Sequence, residues 1–210
     1  MVGKSYGQFC GLARSLDVVG DRWSLLIVRE LLLGPARFGE LRAGLPTIAT
    51  NLLTGRLKDL EAHGVIERRL AGDVNAIVYA LTPWGQQLRE PVSALIRWST
   101  PLMAAGRHND AFEPRWLLPA LSALLADRRS TSPATVILLV DDTPIQVTIA
   151  DDGPHVELLD EVPADNRAVL QTTPGIALAL AAHAIAPEEA SALDRDYPGA
   201  REAIRAVFAY

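Results

Sequence analysis

The chain has 210 residues, 49% of them hydrophobic, with 20 Lys+Arg against 25 Asp+Glu and a formal net charge of −5. That length is enough to bury a substantial core in one large or two small domains, and a single cysteine excludes an intramolecular disulfide framework and suits a reducing cytoplasm. The polar start MVGKSYGQFC and the absence of any apolar run near about eighteen residues lead us to expect neither a signal sequence nor a membrane span.

The first helix is expected around residues 10–19. Asp21 is then placed to cap a second helix, whose apolar positions Leu25, Ile27, Val28, Leu31 and Leu32 recur at helical spacing until Gly34 and Pro35 end it. A short helix over 38–43, a turn through Gly44, Leu45, Pro46 and Thr47, and a longer helix over 48–63 follow, with Gly64 at the position of a left-handed stop. Residues 65–69 and 77–81 are rich in β-branched side chains and flank a tip containing Gly72, Asp73 and Asn75, which reads as a hairpin.

This order is a winged helix-turn-helix. On the helix over 48–63, Leu53, Leu57 and Leu60 bury one face, while Thr50, Asn51, Thr54 and Lys58 occupy the other. Short donors and acceptors with one cation suit a major groove better than bulk solvent, where Glu–Lys pairs are commoner. Thr50, Asn51 and Thr54 are the candidate base readers, Asn51 by a bidentate contact to adenine. Arg37, Arg42, Arg56, Lys58, Arg68 and Arg69 are candidates for phosphate. For Arg56 a second reading stays open, an ion pair with Glu40 or Glu61 inside the fold. The charge distribution agrees: through Arg107 there are 13 Lys+Arg against 9 Asp+Glu, and from His108 onward 7 against 16.

Residues 8–100 resemble the HxlR-type winged helix-turn-helix transcriptional regulators. The marks are Cys10, the run from Gly20 to Trp23, Arg29-Glu30-Leu31, Arg37-Phe38 with Glu40-Leu41, Asn51-Leu52-Leu53, Arg56-Leu57, Leu60-Glu61, Gly64, and Tyr79 with Leu81-Thr82-Pro83. The resemblance implies a homodimer on a palindromic operator of double-stranded DNA. Two positions depart from the pattern. Ala49 stands where a capping hydroxyl is usual, leaving Thr47 to cap, and Gly55 interrupts the reading helix at a cost of about 1 kcal/mol relative to Ala. Gly55 reads either as room for the DNA backbone or as a neutral gap.

Thr82-Pro83 starts a further helix over 84–105, whose Leu88, Val92, Leu95, Ile96, Trp98 and Leu102 exceed what one small domain needs. It reads as a dimerisation helix working with the first one, the alternative being a helix docked on its own chain. Domains are therefore expected over 1–106 and 112–210. In the second, Leu117, Leu121, Leu124 and Leu125 mark a helix, and TVILLV, IQVTIA and HVELLD form an antiparallel meander. A strand over 168–172 and helices starting at Pro174, Pro187 and Pro198 complete an α+β chain, with an antiparallel sheet covered by helices. This order, with Thr172-Thr173-Pro174 and Pro187-Glu188-Glu189, resembles the sterol carrier protein type 2-like domain. The resemblance implies an apolar tunnel lined by Trp116, Leu117, Leu121, Ile137, Val147, Ile149, Ile176, Leu180 and Phe208. A solid core of the same residues is the alternative.

Asp141-Asp142 and Asp151-Asp152 read as solvated turns, and His63, His108, His155 and His183 show no metal-ligand spacing with Cys10. With no phosphate loop and no nucleophile motif, neither an enzyme nor a cofactor is expected. Cys10 lies at a helix start one turn from Arg14, which lowers a thiol pKa. Relatives in the resembled family sense oxidants or electrophiles through a cysteine in this place, so Cys10 is the redox candidate, against a buried interface residue. The expectation is a cytoplasmic, homodimeric repressor responsive to a small hydrophobic ligand. The alternatives are a cysteine-based sensor of the same fold, or a lipid-binding carrier without DNA binding.

Overall fold

A computed structural model describes residues 5–71, 76–164, 168–191 and 200–209. The expected hairpin tip at Gly72, Asp73 and Asn75 and the helix start at Pro198 lie outside those residues. The chain forms two compact units, Met1–Val92 and Ser93–Tyr210.

In the first unit, helices α1 (Gly11–Val19), α2 (Ser24–Leu32), α3 (Phe38–Ala43) and α4 (Thr50–Ala62) precede strands β1 (Ile66–Ala71) and β2 (Ala76–Leu81) and the short α5 (Pro83–Gln86). The helical periodicity is realised in the core: Ile27, Val28 and Leu31 of α2, Leu41 of α3, and Leu53, Leu57 and Leu60 of α4 are all buried. Burying each such side chain is worth about 2 kcal/mol. The strands pair antiparallel from Ile66↔Leu81 to Ala71↔Ala76, and a bridge between Ala36 and Tyr79 ties the approach to α3 onto this wing.

Local punctuation differs from expectation at three places. Asp21 does not cap α2; the cap position is Trp23, with a left-handed φ of 85°, and the Asp21 carboxylate is turned toward Arg56. Thr47 does not cap α4, because the helix starts one residue after Ala49, whose side chain has nothing to offer the free amides. The single helix over 84–105 is instead α5, then α6 (Arg89–Ser99), then a 3-10 turn over Thr100–Ala105. Thr82 starts α5, accepting from the Gly85 amide at 3.0 Å and donating to the Gly64 carbonyl at 2.7 Å. Gly85 is obligatory there, since a β-carbon would collide with the Val65 carbonyl oxygen. Pro101 then prevents regular continuation of α6.

In the second unit, α7 (Leu117–Leu124) leads into strands β3 (Ala134–Val140), β4 (Thr143–Ile149), β5 (Pro154–Leu158) and β6 (Val169–Thr172), followed by α8 (Pro174–Ala181), α9 (Pro187–Ser191) and α10 (Ala200–Phe208). Asp141 and Asp142 alone join β3 to β4, both with positive φ (47° and 62°), as a two-residue primed turn demands. The sheet order is β5-β4-β3-β6, and β6 pairs parallel to β3. The sheet is therefore mixed, not antiparallel. After the meander the chain crosses to the far edge and re-enters in the direction of β3.

One face of this sheet is covered by helices. Val136, Leu138 and Val140 of β3 and Ile145, Val147 and Ile149 of β4 form one buried cluster with Leu117, Leu121 and Leu125, with Ala177 and Leu180 of α8, and with Ile204, Val207 and Phe208 of α10. Among the described residues, no helix is long and apolar enough to cross a membrane.

Candidate nucleic-acid interface

The exposed face of α4 is built by alternation within one helix. Leu53, Leu57 and Leu60 anchor it to the core, which leaves Thr50, Asn51, Thr54 and Lys58 exposed on the opposite side. The Thr54 hydroxyl donates to the Thr50 carbonyl at 2.9 Å, so its methyl and lone pairs remain for an outside partner. Asn51 Oδ1 accepts the Leu52 amide at 2.9 Å, occupying one of the unpaired N–H groups of the helix start. In this rotamer Asn51 presents only its amide donors outward, and a bidentate contact to adenine requires it to swing free.

The candidate cations divide into two sets. Arg37, Arg42 and Lys58 are exposed and form no ion pair among the described residues. Arg37 also starts α3, its backbone amide donating to Glu40 Oε2 at 2.6 Å. The other three are engaged. Arg68 Nε donates to Glu61 at 2.8 Å, which raises the arginine pKa further, and Arg69 Nε donates to Glu67 at 2.7 Å. Arg56 is tied neither to Glu40 nor to Glu61, but to Asp21 and, at 2.8 Å, to Asp59. Its side chain is only 22% exposed and its Nε is buried without a partner, so it acts as an internal strut. Thr47 is exposed in the turn before α4 and available to a phosphate.

Cys10 occupies the cap position of α1 with its side chain exposed, so it is not a buried residue of this chain. The Ala13 and Leu12 amides point at its sulfur and hold the thiol below its ordinary range. The ligand candidates of the second unit mostly converge: Leu117, Leu121, Val147, Ile149, Leu180 and Phe208 lie in one buried cluster, with Ile176 packed against it. Trp116 is half-buried at the end of the 3-10 turn before α7. Ile137 does not belong with them. It pairs across the strands with Gln146, whereas the neighbouring Val136 pairs with Val147, so Ile137 points to the opposite face of the sheet.

Two features escaped the sequence. Asp21 is a clamp for α4, and the first unit holds a cavity of about 770 Å³ bounded by α1, the end of α4 and α5. No linear motif announces a void, which forms only where packed elements leave one.

Comparison with known proteins bears on the first unit. The HxlR-like helix-turn-helix family matches residues 18–106. The HTH-type transcriptional regulator sll1512 of Synechocystis sp. is 36% identical over 90 residues, 42% of this chain and 67% of that protein. YvaP of Bacillus subtilis is 36% identical over 88 residues, 41% of this chain and 82% of that protein. Among solved structures, the reduced form of the transcriptional regulator YodB from B. subtilis is 30% identical, covers 47% of this chain and 99% of its own, and superposes with a TM-score of 0.41. On the family match and the coverage of these relatives, the chain belongs to the HxlR-like helix-turn-helix family of transcriptional regulators.

Proposed function

We propose that this chain is a sequence-specific DNA-binding transcriptional repressor acting as a homodimer on a palindromic operator. The observation that carries this reading is the exposed face of α4, where Thr50, Asn51, Thr54 and Lys58 stand clear of the fold with Arg37 and Arg42 uncommitted nearby in sequence. Two such helices enter successive major grooves about 34 Å apart. Self-association is supported in each unit separately. On α1, Leu12 and Leu16 are exposed beyond a fully exposed Phe9; on α6 and the turn after it, Leu95, Trp98 and Leu102 are exposed. The second unit is a sterol carrier-like module by order of elements, and the regulator responds to a small hydrophobic molecule.

The direct test is a gel shift with DNA flanking the protein's own gene, titrated with salt. Binding that falls steeply with salt on both specific and random DNA, but tighter on one site, supports the reading. Absence of binding at low salt overturns it.

A second reading is favoured by the exposed, activated thiol of Cys10: a regulator of the same fold that answers oxidants or electrophiles. Loss of the response in Cys10→Ser, with DNA affinity retained, would select it over the hydrophobic ligand.

A further inference from the structure

The cavity of the first unit has about 770 Å³ of space, within the range of small-molecule sites. Its walls come from elements distant in sequence. Ser5 and α1 form one side, His63 and Val65 at the end of α4 another, and Trp84, Gln87 and Leu88 the third. We infer that it binds one small, uncharged aromatic molecule carrying a hydrogen-bonding substituent, and that this is where a ligand signal enters the regulator. This rests on the reading of the chain as a DNA-binding regulator and moves the effector site from the second unit to the first.

The chemistry of the walls selects that class. Trp84 is 52% exposed and, with the half-buried Val18 and Leu88, offers an apolar wall on which an aromatic ring can stack. Among the described residues of the wall, the two charged side chains offset each other: Arg14 approaches Asp17 at 3.4 Å, and Asp17 also accepts from the Tyr6 amide at 2.8 Å and the Ser5 hydroxyl at 2.9 Å. Those bonds hold the Asp17 carboxyl below the usual range, so its charge stands opposite that of Arg14 and neither is left to pair with an ion. Hydrogen-bonding capacity remains at His63, whose Nδ1 is taken by the Asp59 carbonyl at 2.8 Å, and at the Gln87 amide.

A second copy of the chain is a poorer occupant. Gly11, Arg14, Ser15 and Val18 line the cavity at i, i+3, i+4 and i+7, one face of α1. The apolar stripe available to a partner subunit, Phe9, Leu12 and Leu16, lies on a different face of that helix. Gly11 also leaves open space where a β-carbon would stand, so the helix is clear of its own fold at the cavity wall.

The position gives a ligand leverage. His63 is the terminal cap of α4, and Val65 is the first residue after the Gly64 stop. A molecule wedged there acts on the end of the reading helix and on the start of the wing. It changes DNA affinity provided it prefers one of the two helix settings.

The test uses the full-length protein with N-phenyl-1-naphthylamine, a neutral aromatic fluorophore. Saturable binding of one probe per chain is expected, weakened at least tenfold in both Gly11→Leu and Ser15→Phe, with circular dichroism and melting reporting that each variant is folded. The probe is also expected to shift operator affinity in wild type and in neither variant. Probe binding that both folded variants leave unchanged overturns the inference, as does binding that appears only on dilution to monomer, the mark of a cavity filled by a second copy. Loss of operator binding with or without probe would instead overturn the reading as a regulator, since probe titration is measured without DNA.

Discussion

Arg56, in the middle of the reading helix, is clamped by Asp21, thirty-five residues upstream in the turn between the first two helices. Asp59 completes the grip from the next turn of α4. The pair braces α4, whose outward face is set by the burial of Leu53, Leu57 and Leu60, against the turn between α1 and α2. Because Asp21 is well exposed, the ion pair itself adds about 1 kcal/mol or less to stability. We expect Arg56→Ala to lower stability by about that amount while leaving the slope of operator affinity against salt unchanged, because this guanidinium does not neutralise a phosphate. A slope lowered by about 0.9 would instead assign Arg56 to the DNA.

Lys58 and Asn51 lie on the exposed face and should behave oppositely to each other. Lys58→Ala is expected to weaken binding to operator and random DNA alike and to reduce the salt slope by roughly 0.9. Asn51→Ala is expected to cost about 1–3 kcal/mol on the operator and little on random DNA. Equal losses on both DNAs for Asn51→Ala would remove it from base reading. Its Oδ1 must first release the Leu52 amide, so the penalty should sit toward the lower end of that range.

Gly55 touches nothing in its own chain where a β-carbon would point. Gly55→Ala is therefore expected to stabilise the first unit by up to about 1 kcal/mol, a rise in melting temperature of roughly 4–8 °C for a domain of this size. On the reading of Gly55 as room for the DNA backbone, the same methyl group is expected to reduce operator affinity. A stabilised protein with unchanged affinity would identify Gly55 as a neutral gap.

The proposed dimerisation can be tested at exposed apolar positions. Leu12→Arg and Trp98→Ser are each expected to shift the protein toward monomer in sedimentation velocity and to abolish tight operator binding, with little effect on melting of the dilute protein. Retention of the dimer by both variants would place the interface elsewhere.

What could be read in the sequence is what local chemistry dictates. Leu53, Leu57 and Leu60 at helical spacing, Gly64 with φ +73°, and the pairing of Ile66 with Leu81 all follow from neighbours within a few turns or one hairpin. The Arg56–Asp21 bond was not legible: Glu40 and Glu61 are closer to Arg56 along the chain, and only the packing of α1, which ends just before Asp21, against α4 decides among the carboxylates. The same reason hid the parallel pairing of β6 with β3, which joins residues about thirty positions apart across a crossover. The resemblance implies Ile137 among the tunnel-lining residues, but alternation from Val136 sends it to the other face, where it is buried as well.

The thiol of Cys10 gives a prediction with a defined sign. Its sulfur is exposed and faces the Ala13 and Leu12 amides at the positive end of α1, so folding shifts the group toward thiolate. Unfolding removes those donors and returns the group to about 8.5, the ordinary value. A group lowered in this way contributes its stabilisation fully above the unfolded value, and loses it as pH falls through the folded one. Alkylation by iodoacetamide, followed against pH by mass spectrometry, is therefore expected to reach half its maximal rate at a lower pH in the native protein than in concentrated guanidinium chloride. Substituting Gly11 by proline, which leaves the Leu12 and Ala13 amides in place, should preserve the difference, and a disordered α1 should erase it. Coincident midpoints for native and unfolded chains would show that the helix start does not activate this thiol, and the reading of Cys10 as a sensor would go with it.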